Sequence, residues 1–280
     1  MVPERSLKKE NFSLPYEKFF MVGGVWMAVM QVKPLPARSY NHAACSVSDL
    51  EFDEYVSRIN KEGAVPVRSV DDLIKACMNN EPPKPMVLGI GGSPRKGGNS
   101  DILLHYLLKE IIENRIPANA LHLRDFHYQG CIGCEQCRKD RICTGLHDGM
   151  SLIYPSILAS QGLVLVSPAH NYNVTSWMKA FIDRLYCFYD FDDKRPRGWS
   201  SRLAGQGRKA VLVAICEQEN ERDRGFTLDA MRLPLEALGY EIIAELPVYG
   251  MFDRAKVKER HDILRKASRM GSDLSQALLR

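Results

Sequence analysis

From Met86 onward the chain alternates short, almost unbroken apolar runs with amphipathic ones, and this alternation constrains its fold more than any other feature. The runs MVLGIG, ANALHL, GLVLVSP, KAVLVAIC and YEIIAELPVYG read as five strands with both faces buried. Between and after them SDILLHYLLKEIIEN, MSLIYPSILAS, SWMKAFIDRLY, TLDAMRLPLEALG and a stretch from about Asp253 to Leu279 carry helical spacing. Strands buried on both sides and joined by helical crossovers predict an open, doubly wound α/β sheet in residues 86–280. Residues 1–85 read differently. They hold two candidate helices, SVSDLEFDEYVSRINKEG and SVDDLIKACMNN, and end in the stiff EPPKP linker, so they are expected to form a mostly helical extension of unknown role.

With 280 residues and 45% hydrophobic composition, the chain has ample material for a core. A net charge of +4, from 38 basic and 34 acidic side chains, gives no warrant for a nucleic-acid partner. The apolar run Phe19–Met30 is too short to span a bilayer, and no signal-peptide pattern precedes it, so no membrane association and a cytoplasmic location are expected. Reduced thiols are the rule there, and clustered cysteines are then metal ligands or redox groups before they are disulfides.

In a doubly wound sheet ligands sit beyond the carboxyl ends of the strands, so the loops that follow the strands are where function is sought. The first is GGSPRKGGNS, Gly91–Ser100. It lacks the Lys and Ser/Thr of a Walker A loop, since Gly98 and Asn99 stand there, and Pro94 breaks a dinucleotide fingerprint. What remains is a glycine-permitted turn carrying Ser93, Arg95, Asn99 and Ser100 into a helix N-terminus, a cradle for a phosphate monoester. The alternative is an ordinary turn in which Asn99 or Ser100 caps the helix. After the third strand, SPAHNYNVTS leaves His170, Asn171, Tyr172 and Asn173 over the same crevice, with Thr175 or Ser176 as the next cap. They could grip the edge and face of a flat ring, or be solvated loop residues.

The sequence CIGCEQCRKDRIC places Cys131, Cys134, Cys137 and Cys143 in one loop, 131–143, after the second strand. The spacing C-x2-C-x2-C-x5-C suits a [4Fe–4S] cubane, in which three thiolates at successive short intervals wrap the cluster and a fourth closes it. Redox thiols without a cluster and a zinc site remain open as alternatives. Cys45, Cys77, Cys187 and Cys216 have no metal spacing and read as buried small hydrophobes. The basic stretch Lys194–Lys209 reads as a solvated loop or as a dock for an acidic carrier or an NADPH phosphate.

Taken together, VLGIGGSPRKGGNS, CIGCEQC with Cys143 and HDGM behind it, and SPAHNYNVTSWMKAFIDRLY resemble the iron-sulfur flavoprotein branch of the NAD(P)H-dependent FMN reductase family over about Met86–Arg280. That resemblance implies a flavodoxin-like five-stranded parallel sheet of order 2-1-3-4-5, bound FMN and assembly into a homodimer or homotetramer. It also implies that Ser93, Arg95, Asn99 and Ser100 hold the FMN phosphate. Pro168, Ala169, His170 and Asn171 would run along the isoalloxazine ring, although an aromatic residue often stands where His170 is, and the loop Cys216–Gln218 after the fourth strand would supply a third contact. The expected function is electron transfer between a ferredoxin-like one-electron carrier and FMN or a small-molecule acceptor, with flavin-centred chemistry and no catalytic side chain. NAD(P)H is a candidate donor. The alternatives are a cluster-independent NAD(P)H-dependent FMN or quinone reductase and a zinc-ordered interaction module.

Overall fold

Five parallel strands form the central sheet in the computed structural model, which describes residues 83–193 and 198–280 together with two short strands nearer the N-terminus. The sheet strands are β1 (Lys84–Gly91), β2 (Ala118–His122), β3 (Ser160–Pro168), β4 (Lys209–Ile215) and β5 (Glu241–Val248). Their spatial order is 2-1-3-4-5, every neighbouring pair is parallel, and the flavodoxin-like class expected from the sequence is the one observed. The central strands have few polar positions because helices cover both of their faces: Val87, Leu88, Ile90, Leu163–Val166 and Ala210–Ala214 are all buried.

The helices are α1 (Asn99–Glu113), α2 (Cys137–Asp140), α3 (Met150–Ala159), α4 (Ser176–Arg184), α5 (Glu221–Arg224), α6 (Thr227–Leu238) and α7 (His261–Leu278). On one face α1 and α7 bury Leu103, Leu104, Leu107, Leu264, Met270 and Leu274 against β1, β3 and β4. The two helices meet closely at Gly271, where a β-carbon would stand 2.5 Å from the Leu107 carbonyl oxygen. The opposite face is covered by α3, α4 and α6, with Tyr154, Phe181, Phe188 and Met231 in the core. Among the described residues no helix is long and apolar enough to cross a membrane.

Several local expectations are corrected. The first helix begins at Asn99 with Gly98 as its cap residue, so neither Asn99 nor Ser100 caps it through a side chain. The last helix does not start near Asp253; a 3-10 turn at Lys256–Glu259 precedes α7, which leaves Tyr249–Ala255 as a loop at the carboxyl edge of the sheet. The basic stretch is not a solvated patch in its described part. Arg208 is buried and donates to the carbonyls of Ile157, Leu158 and Ser160 at the end of α3, where a helix presents unpaired acceptors. Arg202 donates to the Cys187 carbonyl and pairs with Asp190 at 3.6 Å, and Lys209 pairs with Glu241. Lys194, Arg195 and Arg197 lie outside the described residues.

The two candidate helices of the extension, with Cys45 and Cys77, also lie outside the described residues. What is described there is an antiparallel hairpin, Lys18–Val22 paired with Val25–Val29, within a compact unit of residues 1–43; the sheet belongs to a second unit, residues 44–280.

Candidate functional site

A cleft opens at the carboxyl edge of the sheet, where the strand order reverses between β1 and β3. It is lined by Ser93, Pro94, Arg95, Gly98, Asn99 and Ser100 after β1, by Pro168, Ala169 and His170 after β3, by Ile215 and Glu217 after β4, and by Met251, Phe252 and Arg254 after β5. Seven of the residues expected from the sequence therefore meet in one place. Asn171 and Cys216 are not among the lining residues.

The loop after β1 is held from beneath. Arg124 donates to both carboxylate oxygens of Asp101, at 2.9 and 2.8 Å, and to the Ser93 carbonyl at 3.1 Å. Asp101 in turn accepts from the Gly97 amide at 2.7 Å, closing the turn that Gly97 enters at φ 67°. Ser93 Oγ accepts from the Arg95 amide. α1 has no side-chain cap, the residues at its start, Gly98, Asn99 and Ser100, line the cleft, and the helix dipole favours an anion there. Gly92 is glycine for a packing reason: a β-carbon would lie 2.9 Å from Met178 Cε.

Asn99 lines the cleft and also has a structural job. Its amide donates to the carbonyls of Asp253 (3.0 Å) and Met251 (3.4 Å), and its oxygen accepts from the Val257 amide at 3.0 Å. The side chain is fully used in fastening the loop after β5 to the start of α1.

The loop after β3 is pinned by Thr175, which caps α4 by accepting from the Met178 amide and donates its own hydroxyl to the Gly92 carbonyl at 2.7 Å. His170 and Asn173 exchange two backbone hydrogen bonds, 2.7 and 3.1 Å, around Asn171 and Tyr172, both with positive φ. Such a turn is strained for a tyrosine, and it is held by the Phe226 amide, which donates to the Tyr172 carbonyl at 2.8 Å. Gly225 permits this approach, since a β-carbon there would sit 2.2 Å from the same oxygen. His170 presents its ring to the cleft, and burial, then the neighbouring Arg95, push its pKa below the usual histidine range. It is neutral at pH 7 and offers a flat, hydrogen-bonding face. Cys216 turns into the core; its backbone donates to the Val248 carbonyl and accepts from the Met251 amide, tying the two last loops together. Beside it Glu217 faces the cleft.

The cysteine loop leaves the same edge after β2. Cys131 and Cys134 are exposed, and Cys137 and Cys143 are half-buried. The Cys137 thiol is pushed up to about 11, by burial first and then by Cys143, Cys131 and Cys134, so the four sulfurs share one electrostatic neighbourhood. Among the described residues no group of three metal-ligating side chains stands at binding distance. The loop is wound through positive-φ positions at Gly133, Glu135 and Arg141. Its two ends are fastened by a buried ion pair: Arg184 binds Asp148 at 2.7 and 3.0 Å and donates to the carbonyls of Gln129 (2.9 Å) and Leu146 (3.4 Å). Arg184 and Arg202 lie within electrostatic reach of Cys143 and Cys137 respectively. Four thiols of one loop with two guanidiniums behind them suit a group held by thiolates and carrying negative charge. Cys187, buried in the core beside this loop, keeps its expected structural role.

Sequence reasoning missed Met251, Phe252 and Arg254 because it started the last helix near Asp253 and so left almost no loop after the fifth strand. The signal was there in Gly250, which adopts φ 70° and breaks the strand before the loop.

Residues 85–216 match the family described as NADPH-dependent FMN reductase. An iron-sulfur flavoprotein of Archaeoglobus fulgidus is 28% identical over 190 residues, 68% of this chain and 79% of that protein. One from Clostridioides difficile is 37% identical over 100 residues, 35% of this chain and 44% of that protein. A third likeness is of another kind: the fosfomycin resistance protein FosX of Mesorhizobium japonicum is 40% identical over 84 residues, 30% of this chain and 50% of that protein. The chain thus spans about half the length of most of the curated relatives it matches. Among solved structures, a flavone reductase superposes with a TM-score of 0.52 at 12% identity, over 69% of this chain and 62% of that one. An FMN-dependent NADH-azoreductase from Bacillus anthracis, in complex with FMN, gives 0.50 at 16%, over 68% and 99%. At such identities these two structures speak for the fold alone.

Proposed function

Residues 85–216 belong to the NADPH-dependent FMN reductase family, and from that premise we propose that the chain is an FMN-containing iron-sulfur flavoprotein. In this reading it passes electrons between a ferredoxin-like one-electron carrier and FMN or a small-molecule acceptor. The observation that carries it is the cleft: uncapped amides at the start of α1, Ser93, Ser100 and Arg95 converge where a phosphate monoester is best stabilised. FMN bound there supplies one- and two-electron chemistry, and a [4Fe–4S] cluster on Cys131, Cys134, Cys137 and Cys143 supplies one-electron chemistry.

The rest falls to the protein. The first-turn amides and Ser100 bind the phosphate end; Pro168, Ala169 and neutral His170 form a wall for the ring; Glu217 closes the far side of the cleft. The Arg184–Asp148 pair holds the ends of the cysteine loop, and Arg184 with Arg202 offsets thiolate charge. Since the Cys137 thiol is pushed up to about 11, loading a cluster on it releases a proton and becomes tighter as pH rises. Assembly into a homo-oligomer and a cytoplasmic location belong to the same proposal. The extension ahead of residue 85 we assign to the FosX likeness, because the two kinds of alignment, 30% and 68% of the chain, together approach its whole length. No activity is carried over from half of that relative.

A second reading is a cluster-independent NAD(P)H-dependent FMN or quinone reductase, which fits the absence, among the described residues, of three metal-ligating side chains at binding distance. Anaerobic purification with iron supplied separates the two. Flavin bands with a broad cluster shoulder, iron and acid-labile sulfide, all but the flavin lost on Cys134→Ser, support the first. Flavin bands without iron, reduced rapidly by NADPH, establish the second, and colourless protein refutes both.

A further inference from the structure

We infer that Arg254, carried on the loop after β5 and held in place by Asn99, is a second arginine for the flavin's phosphate and the residue that makes the cleft select a phosphorylated flavin. The inference rests on the flavin reading above and adds to it a residue from outside the segment that matches the family, which ends at residue 216.

Arg254 lines the cleft together with Arg95. Its Nη2 lies 3.2 Å from the point where a β-carbon on Gly97 would stand, so the guanidinium rests against the phosphate loop, and a larger residue there would crowd it. Gly97 also has a φ of 67°, which makes it doubly unsuited to a larger residue. The charges around the two arginines are the second observation. Arg124, Arg138, Arg184 and Arg232 all find carboxylates within 4 Å. Among the described residues Arg95 and Arg254 do not: Arg95 donates to the Phe252 carbonyl at 3.2 Å and lies over the Phe252 ring, and Arg254 is in no ion pair. Glu217 is the one acidic side chain lining the cleft. Two guanidiniums without a carboxylate partner among the described residues, beside the start of a 15-residue helix, form an incomplete charge arrangement that a dianion completes.

Position is secured on both sides of Arg254. Asn99 binds the carbonyls of Met251 and Asp253 before it and the amide of Val257 after it. In this inference the Asn99 side chain is a positioning group, acting through the loop that bears the arginine.

The ligand chemistry, a phosphate monoester, has two sources in this setting, the FMN phosphate and the 2′-phosphate of NADPH, and the inference commits to the first. The test is titration of flavin-free full-length protein with FMN and with riboflavin, followed by flavin fluorescence, for the wild type, Arg254→Ala, Arg254→Lys and Asn99→Ala. Arg254→Ala is expected to weaken FMN about 10-fold or more while riboflavin changes less than about 2-fold, as suits loss of a charge-assisted hydrogen bond. Arg254→Lys should restore part of the loss, and Asn99→Ala should lose FMN affinity without any loss of charge. Inorganic phosphate should compete with FMN and not with riboflavin in the wild type, and should compete less well in Arg254→Ala. Equal weakening of both flavins would mark a merely structural role and overturn the inference, as would unchanged FMN affinity. A fall in the preference for NADPH over NADH at constant FMN affinity would move Arg254 to the dinucleotide and overturn it too. Wild-type protein that binds neither flavin sinks the underlying flavin reading instead.

Discussion

His122 ends β2 with its Nδ1 3.4 Å from Asp101, an arrangement that reads at first as an ion pair. Asp101 has already given both oxygens to Arg124, and burial outweighs what attraction remains, so the His122 pKa falls below the model-peptide value of 6.5. His170 is shifted the same way, by burial and then by Arg95. The sign follows: above pH 6.5 both rings are neutral in folded and unfolded chains and their contribution is fully present. As pH falls below that value the unfolded chain takes up protons first, and stability is lost until the folded-state pKa is passed. Thermal melts of the wild type should drop in midpoint between about pH 7 and pH 5.5, and His122→Gln should flatten that decline. An unchanged acid limb in the variant would show that His122 does not couple to folding.

The cysteine loop is an element whose two ends matter more than its middle. Gln129 and Leu146–Asp148 are brought together by Arg184 from α4, and Tyr128 adds a hydrogen bond to the Trp177 carbonyl at 2.7 Å. Both charges are 1% exposed, so removing one strands the other in the core. Asp148→Asn is expected to cost roughly 3–5 kcal/mol, measured by urea denaturation of metal-free protein. The same variant should retain less iron after anaerobic desalting, since the thiols lose their fixed geometry. If stability falls while iron content holds, the pair serves the fold and not the cysteines. The sequence offered HDGM as a feature behind the cysteines; which arginine answers the aspartate depends on α4 folding back beside β2, a contact 36 residues away.

For the whole molecule, the described sheet closes its core without the hairpin: α1 and α7 cover one face and α3, α4 and α6 the other. A chain starting at Pro83 should therefore bind FMN at the same stoichiometry as the full chain, read from flavin absorbance after gel filtration. Loss of flavin on this truncation would assign the extension a part in the site.

What the sequence determined by itself is the sheet and its loops. Five apolar runs have only one way to hide both faces, and that way places Ser93, Arg95, Ser100, Pro168, Ala169 and His170 at one edge, as found. Short-range signals carried this much: periodicity for the strands, glycine for the turn, cysteine spacing for the loop. The tertiary structure decided the rest, through contacts between residues far apart in the chain. It gave the Asn99 side chain a loop more than 150 residues on to hold, buried Cys216 and brought Arg254 to the cleft. It sent Arg208 to the end of α3, where buried carbonyls needed a donor. A polar side chain's partner is set by which backbone groups remain unsatisfied once the core has closed, and no local pattern records that.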